Sequence, residues 1–115
     1  MHEFRVYGQS IEFVKKTTDF LSQHRMPYMQ IISDQLIRAV LSIPLNISEG
    51  YGSSRKRWEN HLKIATGSAN EVKTIFEVIQ HSFDIDTSKL REESIYIGKR
   101  LTLLRKRAKT DFQNL

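Results

Sequence analysis

The segment RAVLSIPLNISEGYG, residues 38–52, decides the fold of this chain. Its apolar residues recur at steps of three and four, which predicts a helix with Pro44 in its interior. An interior proline removes one backbone hydrogen bond at a cost of roughly 3 kcal/mol, so we expect the protein to use the resulting bend or the freed carbonyl. Gly50 and Gly52 predict the end of the helix, because a C-cap often takes the left-handed conformation.

The same periodicity continues on both sides of this segment and predicts an all-α chain in one domain, residues 1–115. The four predicted helices cover residues 10–24, 28–51, 54–82 and 88–112. Ser10 is the expected N-cap of the first helix, and Met26-Pro27 is expected to end it, since the residue before a proline avoids the helical region. Short connections favour antiparallel neighbours, so we expect an up-down-up-down four-helix bundle with a kinked second helix.

Each predicted helix carries an apolar seam, and the four seams together predict the core. The seam of the third helix follows a heptad pattern. In chain order the seam residues are Ile11, Phe13, Val14, Phe20 and Leu21; Met29, Ile32, Leu36, Val40, Ile43 and Ile47; Trp58, Leu62, Ala65, Ala69, Val72, Phe76, Ile79 and Phe83; and Leu90, Ile97, Leu101, Leu104, Ala108 and Phe112.

The second and third helices are apolar over a wider arc than a four-helix core needs. A second row on the third helix contains Ile64, Gly67, Ile75 and Val78. Small residues around Gly67 would let another backbone come close, which would explain a glycine that costs up to ~1 kcal/mol in a helix. Surplus apolar surface is typical of a protein–protein interface, so we predict a homo-oligomer.

The positive charge is concentrated in the last segment of the chain. The net charge is +5, and residues 88–115 contain eight basic and three acidic residues. Such a surface favours an acidic partner, with nucleic acid first and anionic lipid a distant second. A solvated helix that only keeps the protein soluble would show the same composition.

Several classes of site have no support in the sequence. There is no cysteine, and His2, His24, His61 and His81 show no spacing typical of a metal site. We recognise no catalytic triad, phosphate-binding loop, signal peptide or transmembrane segment. We therefore expect no cofactor, no metal, no enzymatic activity, no membrane association and a cytoplasmic location.

The residues around Pro44 resemble the signature of the 23S rRNA intervening-sequence proteins, also called the four-helix-bundle protein family. Its members commonly carry Gln-x-x-Arg-Ala running into Ser-Ile-Pro-x-Asn-Ile-x-Glu-Gly, and this chain has QLIRAVLSIPLNISEG at residues 35–50. Trp58, Ala65, Gly67, Ser68 and Glu71 match the helix that usually follows. Ile37, Leu45, Ser48 and His61 depart from the residues that are usual in the family.

The resemblance implies an elongated four-helix bundle that assembles into a five-membered barrel, without an established enzymatic activity. A related branch, the accessory proteins of diversity-generating retroelements, binds a reverse transcriptase and nucleic acid. The resemblance therefore implies a homo-pentamer with nucleic acid, and a protein such as a reverse transcriptase, as partners.

Two groups of polar residues are candidates for function. Arg38, Ser42, Asn46 and Glu49 share one face of the second helix, where we expect them to form a structural polar network around Pro44, with Glu71 as a further member. A polar binding site at the bend is the alternative. The predicted nucleic-acid-binding residues are Arg55, Lys56, Arg57, Lys99, Arg100, Arg105, Lys106, Arg107 and Lys109; they should bind phosphates without reading bases.

The favoured function is a non-catalytic, basic, homo-oligomeric nucleic-acid-binding protein, with RNA preferred, or a ribonucleoprotein scaffold. The alternative is a protein-interaction module for a polymerase-type partner, without a direct role at nucleic acid. A ribonuclease is a third hypothesis, because the spacing of Arg55 and His61 loosely fits helical ribonucleases of the HEPN group. A histidine on a helix surface is the simpler interpretation of His61.

Overall fold

The part of the chain that the structure describes folds into four helices. The computed structural model describes residues 2–25 and 29–113, with side chains for residues 5–25 and 29–109. The helices are α1 (His2–Gln23), α2 (Gln30–Gly50), α3 (Arg55–Phe83) and α4 (Ser88–Gln113). Over these residues the fold is all-α, without a strand. The expectations at Met26, Pro27 and Tyr28, and at the side chain of Phe112, lie outside this description.

The helices pack side by side into an elongated bundle. Contacts link α1 to α2, α2 to α3, α3 to α4, and α4 back to α1, and the bundle measures 54 × 20 × 19 Å. Hydrogen bonds pair Gln35 with Glu71 near the start of α2 and Asn46 with His61 near its end. Residue numbers therefore fall along α3 as they rise along α2, so these two helices run antiparallel.

The predicted start of α1 is wrong, because the helix includes Ser10 in its interior. Ser10 is fully buried, and its hydroxyl donates to the carbonyl of Tyr7 at 2.6 Å. The helix extends towards the N-terminus because Val6 packs into the core. Ser10 is thus a core position whose polar group is satisfied within its own helix.

The buried line of α1 also differs from the predicted seam. It consists of Val6, Ser10, Phe13, Thr17 and Phe20, at alternating steps of four and three. Ile11, expected in the core, is 47% exposed. Phe13 and Phe20 lie on this line as predicted, and the half-buried Val14 and Leu21 pack against the core, so Ile11 is the one seam residue of α1 that was placed wrongly. Two of the five buried positions are polar, so hydrophobicity alone does not identify Ser10 and Thr17 as core positions.

The seams of the other helices correspond closely to buried positions. Leu36, Val40, Ile43 and Ile47 of α2 are buried, as are six residues of α3 and four of α4. The six on α3 are Leu62, Ala65, Ala69, Val72, Phe76 and Ile79, and the four on α4 are Ile97, Leu101, Leu104 and Ala108. Phe13, Phe20 and Phe76 form an aromatic cluster that joins α1 to α3.

The three glycines singled out in the sequence have different roles. Gly52 follows α2 with a φ of +80°, the conformation expected of a helix stop. Gly50 is the last helical residue, and its φ is not positive. At Gly67 an added Cβ would have no neighbour within 4 Å, so no part of the described chain uses the close approach that we expected there.

The connection between α3 and α4 is held by side-chain hydrogen bonds. The hydroxyl of Thr87 donates to the carbonyl of Phe76 at 2.8 Å, and its backbone N–H donates to the side-chain oxygen of Gln80 at 3.0 Å. The backbone N–H of Ser88 donates to Asp86 Oδ1 at 2.9 Å, and this bond lowers the pKa of Asp86 from its ordinary value of 3.8. The start of α4 is therefore fixed against α3.

Two buried threonines lead to opposite stability predictions. The hydroxyl of Thr17 is buried and has no hydrogen-bond partner in the described chain, whereas the hydroxyl of Thr87 donates to Phe76. An unsatisfied buried hydroxyl costs about 1–3 kcal/mol. We therefore expect Thr17→Val to raise the free energy of unfolding by about 1 kcal/mol and Thr87→Val to lower it by about 1–3 kcal/mol. Urea unfolding at one protein concentration measures both, and a loss of stability in Thr17→Val would contradict the assignment.

Candidate nucleic-acid interface

The C-terminal half of α4 is a continuous basic surface. Because Ile97, Leu101, Leu104 and Ala108 are buried, the opposite arc of the helix faces solvent. On this arc Lys99, Arg105, Lys106, Arg107 and Lys109 are exposed, and Arg100 is half-buried. Residues 94–110 contain no acidic residue, so no carboxylate of this segment neutralises the cations. The helix therefore presents a strong positive field to solvent.

A groove between this surface and α1 concentrates the charge further. Its cavity volume is about 480 Å³, and four of its lining residues are cationic: Arg5 from α1, and Lys99, Arg100 and Arg107 from α4. Among the side chains that the structure describes, no acidic one lines it. We call it the Tyr96 groove, after the tyrosine that lines it together with Leu103. The buried side chains of Val6 and Leu104 complete the lining.

Sequence reasoning missed Arg5 as a member of this surface. With α1 predicted to begin at Ser10, Arg5 lay before the first helix and had no assigned position. Val6 is buried in α1, and Arg5 is the residue before it. Extending the predicted helix to Val6 would therefore have placed Arg5 at the edge of the core.

Tyr96 and Arg100 form an ordered pair within the groove. They are one helical turn apart, and the guanidinium carbon of Arg100 lies 5.6 Å from the centroid of the Tyr96 ring. The Arg100 Nη1 also donates to the Tyr96 hydroxyl at 3.2 Å. Both contacts restrain the ring, and 51% of the side chain remains exposed. The groove thus presents an aromatic ring among cations.

The predicted basic cluster at residues 55–57 lies at the start of α3. Ser54 is the N-cap, and its hydroxyl oxygen accepts a hydrogen bond from the backbone N–H of Arg57 at 3.3 Å. Arg55, Lys56 and Arg57 are exposed. None of them lines the Tyr96 groove, so the structure presents the two predicted basic regions as separate surfaces.

Part of the predicted polar network forms at the contact of α2 with α3. Asn46 Nδ2 donates to the Ser42 carbonyl at 2.8 Å and to the Ser42 hydroxyl oxygen at 3.0 Å, which also accepts from the Ser68 hydroxyl at 2.8 Å. His61 Nδ1 lies 2.9 Å from Asn46 Oδ1. Because a carbonyl can only accept, the Asn46 amide group must point at Ser42, and His61 Nδ1 must therefore carry the proton donated to Asn46 Oδ1.

The other predicted network residues are not joined to it within the described chain. Asn46 bonds the Ser42 carbonyl rather than the Val40 carbonyl that Pro44 frees. Glu71 accepts from Gln35 Nε2 at 2.6 Å. Arg38 and Glu49 are exposed and form no ion pair with each other or with Glu71 in one chain. The network thus connects α2 to α3 beside Pro44.

The position of His61 bears on the ribonuclease hypothesis. His61 is half-buried and hydrogen-bonded to Asn46, so it is not the solvent-facing histidine that the sequence suggested. Arg55 lies six residues earlier on the same helix, and at 3.6 residues per turn this separation places the two side chains on different faces. The arrangement therefore favours a structural role for His61.

The described residues offer neither a cluster of metal ligands nor a membrane-spanning helix. No group of three histidine, aspartate or glutamate side chains in this part of the chain could hold a metal ion. Likewise, none of the helices, as far as they are described, is long and apolar enough to cross a bilayer.

Comparison with known proteins yields one family and a solved relative. Residues 2–103 match the family model described as 23S rRNA-intervening sequence protein. A crystal structure from Bacteroides thetaiotaomicron, described as a protein with unknown function from the S23 ribosomal protein family, superimposes with a TM-score of 0.80 at 28% sequence identity. The alignment covers 92% of this chain and 99% of that one. No curated protein matches the sequence at a significant level.

Proposed function

The chain belongs to the 23S rRNA-intervening sequence protein family, and from that premise we propose that it is a non-catalytic nucleic-acid-binding protein. RNA is the preferred ligand over DNA, and the protein acts as a homo-oligomer, alone or as the scaffold of a ribonucleoprotein. A cytoplasmic location is part of the proposal, as the composition predicts.

One observation carries the proposal: the exposed cations of α4 between Lys99 and Lys109 are not interrupted by any acidic residue. A surface that served only solubility would do so equally well with both signs interspersed. When the phosphates of a nucleic acid pair with these cations, the counterions of the phosphates are released. This release supplies most of the affinity of non-specific binding.

The proposed oligomer rests on a second surface, the α2/α3 flank, which we define as Ile31, Leu41, Leu45, Ile64 and Val78. All five are exposed; Ile31 is 81% and Leu45 61% exposed. Leu45 is one turn from Ser42, and Ile64 is one turn from His61, so both lie beside the polar contact of the two helices. An apolar flank across two helices is typical of a subunit interface.

The antiparallel course of α2 and α3 supports the proposed up-down-up-down path of the bundle. We propose a pentameric barrel as the assembled form. In such an assembly the basic surface of α4 would recur around the ring, and the repeated charge would strengthen binding to a long polyanion.

The test is charge reversal at Arg105, Lys106 and Arg107. We expect the triple Glu variant to bind labelled RNA at least about tenfold more weakly at moderate salt, since phosphates that the protein no longer neutralises keep their counterions. The slope of log affinity against log salt should fall by roughly 0.7 for each single-strand phosphate that is no longer neutralised. Gel-shift titration at several salt concentrations measures both quantities.

The matched control reverses three cations elsewhere on the surface, Lys15, Lys63 and Lys89, so that net charge is equal in the two variants. Circular dichroism confirms that both remain helical. Equal RNA affinity of the α4 variant and the control would contradict direct binding by α4. Retention of a polypeptide partner after nuclease and high-salt washing would then support the protein-interaction module.

A further inference from the structure

The Tyr96 groove has properties that phosphate binding alone does not explain. Within its ring of four cations, Tyr96 is 51% exposed and Leu103 is 63% exposed. Leaving large apolar side chains in water costs free energy, and a surface that contacts only phosphates gains nothing from them. A ligand with an apolar or aromatic face as well as negative charge would use both the cations and the exposed Tyr96 and Leu103 side chains of this groove.

The pairing of Arg100 with Tyr96 indicates which kind of face the ligand offers. The guanidinium lies near the ring, at 5.6 Å from its centroid, and is tethered to the phenol oxygen. Both groups are planar and restrained, so a flat ligand can stack on either without a large loss of side-chain freedom. Stacking of nucleobases on aromatic rings, assisted by arginine, is a general mode of binding single strands.

A duplex does not offer such a face, because its bases are stacked inside and only its phosphates and groove edges are accessible. An unpaired strand can place one base in the groove, whose volume of about 480 Å³ falls within the usual range of small-ligand sites. Arg5 on one side, with Lys99 and Arg107 on the other, can then contact the phosphates that flank this base.

We infer that the Tyr96 groove binds single-stranded nucleic acid, with an unpaired base stacked on Tyr96 or Arg100 and its phosphates on the surrounding cations. This inference rests on the proposed function and narrows its ligand to unpaired strands. It differs from the sequence-based expectation, in which the basic surface contacts phosphates without reading bases.

The experiment compares three labelled probes by fluorescence anisotropy: a short single-stranded RNA, the duplex of the same sequence, and a single strand that carries abasic sites throughout. The key variant is Tyr96→Leu, with Tyr96→Phe as the conservative substitution that keeps the ring. Arg107→Glu is the phosphate-contact variant, with Lys89→Glu, at the other end of α4, as its control for the change of charge.

We expect Tyr96→Leu to bind the single-stranded RNA roughly 5- to 100-fold more weakly, which is the usual contribution of one stacked base. Its affinity for the duplex and for the abasic strand should equal that of the unmodified protein. Tyr96→Phe should retain most of the single-strand affinity. Arg107→Glu should weaken all three probes, and Lys89→Glu none of them.

The outcomes separate this inference from the proposed function. If Tyr96→Leu binds the single strand as well as the unmodified protein while Arg107→Glu does not, the inference is overturned and nucleic-acid binding stands. If the unmodified protein binds none of the probes, both fail. If polyglutamate displaces the single strand as effectively as unlabelled RNA does, the groove is a site for acidic polypeptides, and the inference is again overturned.

Discussion

Leu45→Glu is expected to sediment as a single chain at a protein concentration at which the unmodified protein sediments as an oligomer. Leu45 is 61% exposed in one chain and belongs to the α2/α3 flank, so a second copy would bury it. Burying an unpaired carboxylate in an interface costs several kcal/mol, and such a penalty at each subunit contact dissociates a closed ring. Analytical ultracentrifugation measures the change.

The matched control is Ile11→Glu. Ile11 is 47% exposed on α1, so the substitution makes a similar chemical change on a helix that contributes no residue to the α2/α3 flank. It should leave the sedimentation coefficient unchanged. An unmodified protein that sediments as a folded single chain at micromolar concentration would contradict the proposed assembly, and equal dissociation by both variants would place the interface elsewhere.

Gly50→Ala is expected to lower the free energy of unfolding by about 1–3 kcal/mol, the usual range for overpacking a tight contact. A Cβ at Gly50 would lie 2.7 Å from the Cβ of His61 and 3.0 Å from Cε3 of Trp58. The Cβ of His61 is anchored to the α3 backbone, so the two helices must separate to accept the new methyl group. That separation would also strain the hydrogen bond of His61 with Asn46.

The control for this prediction is Gly98→Ala on α4. Its Cβ would lie 3.7 Å from the Cβ of Ala69, an ordinary contact distance, and alanine is favoured over glycine in a helix interior by up to about 1 kcal/mol. Gly98→Ala should therefore be neutral or stabilising.

Adding His61→Ala should not rescue Gly50→Ala, because the clashing Cβ remains. Rescue would place the steric conflict in the imidazole ring. Urea unfolding at equal protein concentrations distinguishes these results.

The glycine at position 50 illustrates the difference between a sequence motif and its physical cause. The motif predicted a helix stop at Gly50 and Gly52, and only Gly52 takes a positive φ. Gly50 is needed for a contact with His61, a residue on another helix. A local pattern cannot distinguish the two reasons, because both call for the absence of a side chain.

The residues that line the Tyr96 groove could also not be grouped from a local sequence pattern. The cations of α4 were predicted individually from their charge. Their combination with Arg5 depends on how α1 packs against α4, and the prediction left Arg5 outside α1 because the helix was expected to begin at Ser10, which is instead a buried interior position. Polar residues in a core line interrupt the periodicity from which a register is inferred.

The sequence by itself determined the elements that depend on local periodicity: the helices after the first, the proline inside α2, and the heptad seam of α3. Repeating apolar residues report on the chain's own helical geometry, so no partner is needed to interpret them. The tertiary structure alone decided the burial of Ser10 and Thr17, the nitrogen of His61 that donates to Asn46, and the juxtaposition of Arg5 with Tyr96. Each of these is set by contacts between helices, whose energies depend on side chains far apart in the chain.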